Sequence, residues 1–239
     1  MRKVIRFLDR LTDRILALIF LTVFLIGLWF LYDTAYVYRH ASAGRVAAFR
    51  PGAASEKEPP AKQLTKDYVA WLTVDDTSID YPVMQGRTNS DYLNTDPYGE
   101  YSLAGSIFLD SRNAGDFSDG YSLIYGHHMA GGFMFGALDR YYEEGFFETH
   151  RRGSLSLGET VLRLEAFAVL LTDANEETFF ELPQSAEDVV KLAREQARTF
   201  TEPVNGRILA LSTCREAAGS DRTVVLFCVS DPAGGGESE

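Results

Sequence analysis

Ile208–Val229 reads ILALSTCREAAGSDRTVVLFCV, two apolar, β-prone runs on either side of a short polar loop that contains Gly219. That pattern predicts two strands joined as a hairpin. Cys214 closes the first run and Arg222 opens the second. In an antiparallel pair the end of one strand lies beside the start of the next. A thiol and a guanidinium then share one rim of the sheet. A thiolate is a strong nucleophile, and Arg carries fixed, permanently charged donors suited to a carbonyl oxygen that gains charge.

Thiol chemistry also needs a proton carrier, and the chain has only four His. His127 and His128 follow directly on a third β-prone run, Leu123-Ile124-Tyr125-Gly126. Cysteine enzymes bring Cys and His together in space rather than in sequence. Taken singly, each residue has a plainer reading: Cys as a small core hydrophobe, His in a Gly-flanked turn as a structural group.

Outward from this centre, further strands are predicted over 69–74, 79–83, 106–109, 121–125, 155–157 and 160–172. In the last of these, Leu162, Leu164, Ala166 and Ala168 fall on one face. Pro82 marks an edge position or a bulge. Phe133–Phe147 reads as one or two short helices. Ser185 starts a helix that runs to about Arg198 on the spacing of Val189, Leu192, Ala193 and Gln196. About eight short strands with few helices suit a closed, mainly β barrel with helical insertions.

The N-terminal end has a different character. Ile15–Leu31 is an uncharged apolar run of bilayer-spanning type, preceded by Arg2, Lys3, Arg6, Arg10 and Arg14. The positive-inside rule predicts a cytoplasmic N-terminus with everything after Leu31 outside. An Ala41-Ser42-Ala43 triplet matches a signal-peptidase site, but it lies ten residues past the run, behind Arg39 and His40, which favours an uncleaved anchor. The expected organisation is a basic segment over 1–14, an anchor over 15–31 and a juxtamembrane helix and linker over 32–66. A folded domain over 67–230 and a disordered tail over 231–239 complete it.

Composition limits the alternatives. The formal charge of -11 is made more negative over the body of the chain, because the first 14 residues hold five Arg or Lys against two Asp. Bulk electrostatics therefore argue against nucleic acid binding. Of the two Cys, Cys228 lies six positions beyond Arg222 on the same strand, roughly 20 Å away, and reads as core. Zinc-type Cys and His spacings are absent, so neither a metal nor another cofactor is expected.

The run Leu211-Ser212-Thr213-Cys214, the Arg eight residues later and the upstream Tyr125-Gly126-His127 resemble the sortase family of cysteine transpeptidases. Several details are similar to class B. They are His128-Met129 after the Tyr-Gly-His, Met134-Phe135-Gly136, the Phe146-Phe147 pair, Ile79-Asp80-Tyr81-Pro82-Val83, and a helix between the last strands. The resemblance covers about residues 64–230.

It implies a closed eight-stranded barrel and a membrane-held enzyme whose catalytic residues are His127, Cys214 and Arg222. It further implies surface-protein substrates with a C-terminal sorting signal, cleaved after Thr, and a peptidoglycan amine as acceptor. Asn89, Leu93, Tyr125, Ser212 and Thr213 match groove positions, though packing or turn formation accounts for them equally well. His128 reads as structural, and Glu216 as solvated or as tuning the pocket. Residues 50–66 lack the Asp-Pro-Phe or Asp-Pro-Trp pattern of a pilin-polymerising lid, which favours anchoring over pilus assembly. A papain-type hydrolase fits poorly, since there His follows Cys. A non-catalytic, membrane-tethered binding module leaves the facing Cys and Arg without a purpose.

Overall fold

The computed structural model describes residues 2–41, 44, 46–52, 62–173, 175–182, 185–204, 206–214 and 221–231, with only the backbone of Lys3, Val4, His40 and Cys214. Several expectations fall outside the described residues: the linker over 53–61, Ser42 and Ala43, the hairpin loop over 215–220 with Glu216 and Gly219, and the tail over 232–239.

Two compact units separate, Met1–Arg39 and His40–Glu239. Helix α1, Arg2–Ala41, is continuous over 40 residues. Over Ile5–Arg39 it is long and apolar enough to cross a membrane, with none of its most apolar window buried. Thr12 and Thr22 donate their hydroxyls to the carbonyls of Leu8 and Leu18, four residues back, at 3.0 and 2.8 Å. Such bonds leave no hydroxyl unsatisfied in an apolar setting.

The second unit is built on a nine-stranded sheet. Its strands are β1 (Tyr68–Val74), β2 (Asp80–Met84), β3 (Ile107–Leu109), β4 (Tyr121–Gly126), β5 (Arg152–Leu157), β6 (Thr160–Asp173), β7 (Thr199–Phe200), β8 (Ile208–Cys214) and β9 (Asp221–Ser230). The order β5-β1-β2-β3-β4-β8-β9-β6 closes through a β5–β6 pairing, so eight strands form a barrel and β7 adds to β6 outside the ring. Closure removes the exposed sheet edges that invite aggregation. Pro82 sits where β2 pairs only with β1, because the β3 ladder begins at Val83. A missing N–H costs nothing there.

The apolar run that begins β8 and the one that makes up most of β9 are buried on both faces, which is why they do not alternate. Leu209, Leu211, Val225 and Phe227 fill the barrel interior. Ile208, Ala210, Val224, Leu226 and Cys228 face outward against Phe179, Val189 and Ala193. After the short helix α2 (Phe146–Thr149), those three come from α3 (Glu177–Phe180) and α4 (Ala186–Gln196), which cover the sheet. Ser185 caps α4 by accepting from Glu187 N at 3.2 Å. The helix ends before Arg198, whose N–H donates to Val169 O at 2.9 Å and starts β7.

The expected single face along β6 does not hold. Leu162, Leu164 and Ala166 point into the barrel, but Ala168 joins the outer cluster. The cause is a bulge at Phe167, since Ala166 pairs with Phe227 and Ala168 with Leu226. One extra residue in a period of two exchanges the faces.

Candidate active site

Three strands converge on the site. β4 runs parallel to β8, with Tyr125 beside Ser212 and Gly126 beside Thr213. β9 runs antiparallel to β8, with Ser212 opposite Val224 and Cys214 opposite Arg222. Tyr125, Ser212 and Val224 therefore form one row across three strands. Two residues further along β8, on the middle strand, Cys214 lies opposite Arg222, while His127 follows Gly126, the last residue of β4.

His127 leaves β4 at Gly126, where a side chain would not fit: a Cβ there would lie 2.5 Å from Ile107 Cδ1 and 2.8 Å from the Phe135 ring. Its Nε2 is 2.7 Å from the carbonyl oxygen of Leu93. That carbonyl is itself cradled by Gly105, at φ +59, where a Cβ would come within 2.3 Å of the oxygen. The Leu93 side chain is 39% exposed beside this contact. His128 turns away, with Nε2 2.8 Å from Asp139 Oδ2.

Beneath the row lies a buried carboxylate that the sequence reading missed. Asp110, fully buried at 0% exposure, follows β3 directly. Arg112 donates Nε to its Oδ1 and Nη2 to its Oδ2, both at 2.9 Å. Asn89 Nδ2 donates to Oδ2 at 2.8 Å and the Tyr125 hydroxyl does so at 3.1 Å. Burial pushes this carboxyl up, but the hydrogen bonds from Arg112 and Asn89 outweigh it and hold the group below the usual carboxylate range. Tyr125 moves the other way. Burial raises its phenol, Asp110 raises it further, and the charges of Arg112 and Arg222 pull only weakly against them.

The predicted groove residues thus fall into different settings. Asn89 spends both ends of its amide inside the protein, since its Oδ1 also accepts from Ser111 N at 2.7 Å. Tyr125 stacks at a tilt on Phe108, with ring centroids 5.4 Å apart. Thr213 is buried, and its main chain lies between two ladders, beside Gly126 of β4 and opposite Thr223 of β9. Ser212 is 1% exposed, and among the described residues its Oγ has no hydrogen-bond partner. A buried hydroxyl without a partner costs about 1–3 kcal/mol. It sits two residues before Cys214 on the same strand.

The Sortase domain profile matches residues 72–228, which contains all eight ring strands but the first residues of β1 and the last of β9. The chain belongs to the sortase family. Sortase B of Listeria monocytogenes is 40% identical over 159 residues, 64% of this chain and 65% of the relative. Sortase B of Staphylococcus aureus is 32% identical over 162 residues, 65% of this chain and 66% of the relative. The chain thus spans just under two thirds of the length of either curated relative. A crystal structure of a Streptococcus pyogenes class B sortase involved in pilus biogenesis superposes with TM-score 0.65 at 38% identity, covering 70% of this chain and 93% of that one. The likeness is to class B throughout these relatives.

Three residues at this candidate site escaped the sequence reading. The Asp-x-Arg spacing of Asp110 and Arg112, immediately after an apolar strand, is a local signal that would have found the first pair. Asp139 offers no such signal, because its partners His128 and Thr223 lie 11 and 84 residues away.

Proposed function

We propose that this chain is a cysteine transpeptidase that cleaves a C-terminal sorting signal after Thr and transfers the protein to an amine of peptidoglycan. The observation that carries the reading is the register of β4, β8 and β9, which sets Cys214 opposite Arg222 and ends β4 at Gly126, beside Thr213 and one residue before His127. The Cys214 thiolate attacks the Thr carbonyl carbon, forming a C–S bond and a tetrahedral oxyanion. Arg222 donates to that oxygen. The C–N bond breaks as His127 gives its proton to the leaving amine. The incoming amine then attacks the thioester, His127 takes its proton, and the thiolate leaves.

Asn89, Leu93, Tyr125, Ser212 and Thr213 line the groove in this reading. No cofactor takes part. The domain limits are those expected from the sequence: a basic segment over 1–14, an anchor over 15–31, a juxtamembrane segment over 32–66, the catalytic domain over 67–230 and a tail over 231–239. The basic residues ahead of the apolar run favour a cytoplasmic N-terminus and an extracellular catalytic domain.

A second reading, pilin polymerisation, has one observation in its favour: the Streptococcus pyogenes structure is described as involved in pilus biogenesis. The two readings differ in the acceptor, a peptidoglycan amine or a Lys of another protein. The test is turnover of sorting-signal peptides by the full chain in detergent micelles, with each acceptor supplied in turn. Cys214→Ala and His127→Ala are expected to fall to background. Undiminished cleavage by Cys214→Ala would refute the reading.

A further inference from the structure

The 3₁₀ helix Gly136–Tyr142 brings one carboxylate back to the rim, and the proposed chemistry does not use it. Asp139 reaches β9 and the segment that follows β4, two strands that do not pair with each other. Its Oδ2 is bonded to His128 Nε2 at 2.8 Å, and its Oδ1 accepts from Thr223 Oγ1 at 3.1 Å. His128 is the residue after His127, and Thr223 is the residue after Arg222. Between them lies β8, with Cys214 at its end.

Each arm of this bridge is itself held. Thr223 is fully buried and pairs with Thr213. The chain from His127 to Asp139 folds back on itself through a Phe135 N to His127 O bond of 3.1 Å. A Cβ on Gly136 would lie 2.0 Å from Met129 O, so the helix starts in direct backbone contact with the segment that leaves β4. Met134, at φ +52, donates its N–H to the Tyr81 hydroxyl at 3.1 Å. A left-handed, non-glycine residue persists only where its surroundings hold it. The carboxylate is therefore a fixed strut and not a free surface group.

We propose that Asp139 is a positioning residue whose carboxylate clamps the residues following His127 and Arg222. It thereby sets the separation of the proton carrier and the oxyanion donor on either side of Cys214. The clamp rests on the roles given to those three residues above. Acyl transfer needs its reacting groups in near-attack geometry, and a misplacement of about 1 Å costs on the order of 10²-fold in rate. β4 and β9 do not pair with each other and β8 lies between them, so Asp139 ties the segment after β4 to β9 directly and not through two ladders.

The experiment uses the full chain in detergent micelles and a fluorogenic sorting-signal peptide. Asp139→Ala is expected to lower kcat by roughly 10- to 100-fold while KM stays within about twofold. Asp139→Asn keeps an acceptor for Thr223 and a donor for neutral His128, and is expected to recover to within about fivefold of wild type. Thr223→Val removes one arm at equal volume and is expected to cost several-fold in kcat. Adding it to Asp139→Ala is expected to cost nothing more, as for two members of one network. Wild-type kcat in Asp139→Ala, a loss carried in KM, or an Asn variant no better than Ala overturns the clamp. If Asp139→Ala does not fold, an unimpaired Thr223→Val overturns it. A wild-type chain without Cys214-dependent turnover overturns the underlying catalytic reading, and the clamp with it.

Discussion

Replacing Asp110 with Asn removes one negative charge from a site where five donors converge on two oxygens. Arg112 supplies its backbone N–H, Nε and Nη2, each at 2.9 Å. Asn89 Nδ2 and the Tyr125 hydroxyl supply the others at 2.8 and 3.1 Å. Whichever way the new amide turns, its NH₂ meets at least two donors, and the Arg112 cation loses its buried partner. Breaking a buried pair from one side costs about 3–5 kcal/mol. Arg112 is 39% exposed and still donates to Phe180 O at 2.7 Å, so the lower end applies, about 3 kcal/mol. For a domain of this size that corresponds to a fall in melting temperature of roughly 6–12 °C.

The same substitution has a pH signature. The folded-state pKa of Asp110 is depressed, so its contribution is present above the unfolded carboxylate value, about 4, and is lost as pH falls through the folded value. The wild-type and Asp110→Asn melting temperatures should therefore converge as pH drops from 7 to 3. Adding Arg112→Met to Asp110→Asn removes the cation, whose remaining ion partner is the exposed Glu181 at 3.4 Å, and should restore part of the loss. The assay is thermal unfolding followed by circular dichroism on the full chain in micelles. A shift under about 2 °C at pH 7, or a gap that widens in acid, would refute the assigned network.

Arg222→Lys keeps the charge but not the planar fork, so it should retain iodoacetamide reactivity at Cys214 while losing at least about a hundredfold in peptide turnover. Paired alkylation and acylation rates on one preparation check this. Cys228→Ala, truncating a side chain that is 3% exposed, should cost about 1–2 kcal/mol in urea unfolding and leave turnover intact. Gly126→Ala should destabilise by about 1–3 kcal/mol, because its Cβ would lie 2.5 Å from Ile107 Cδ1. It should also lower turnover, since the backbone shift falls one residue before His127; equal turnover at reduced stability would separate the two effects.

What the sequence made legible follows from how local each determinant is. The β8–β9 pairing rests on two apolar runs close in sequence, and Cys228, read as core from its distance along the strand, is buried in the outer cluster and paired with Ile208. The helix at Ser185 is likewise local, carried by its cap. The β6 bulge is not local: its extra residue exists only relative to β9, so the alternation along Leu162, Leu164 and Ala166 carries no warning of Ala168. β7 has two residues, too few to show a period, and forms because α4 delivers Thr199 and Phe200 to the open edge of β6.

At the proposed site, the candidates His127, Cys214 and Arg222 were legible as rare chemistry at predicted strand ends. Their supports were not. Asn89 reads as a groove residue, yet its amide braces Asp110 and Ser111. Asp139 looks like one more surface acid of a short helix until the fold brings Thr223 to it. Polar networks assembled from distant elements leave no periodic trace in the chain.

The most direct measurement is intact-protein and peptide mass spectrometry of the full chain quenched in acid during turnover of a sorting-signal peptide. The account predicts a thioester adduct on the peptide containing Cys214, with the mass of the substrate fragment ending at Thr, lost on addition of an amine acceptor and absent from Cys214→Ala. Substrate cleavage with Cys214 unmodified, or an adduct on Cys228 instead, would contradict it.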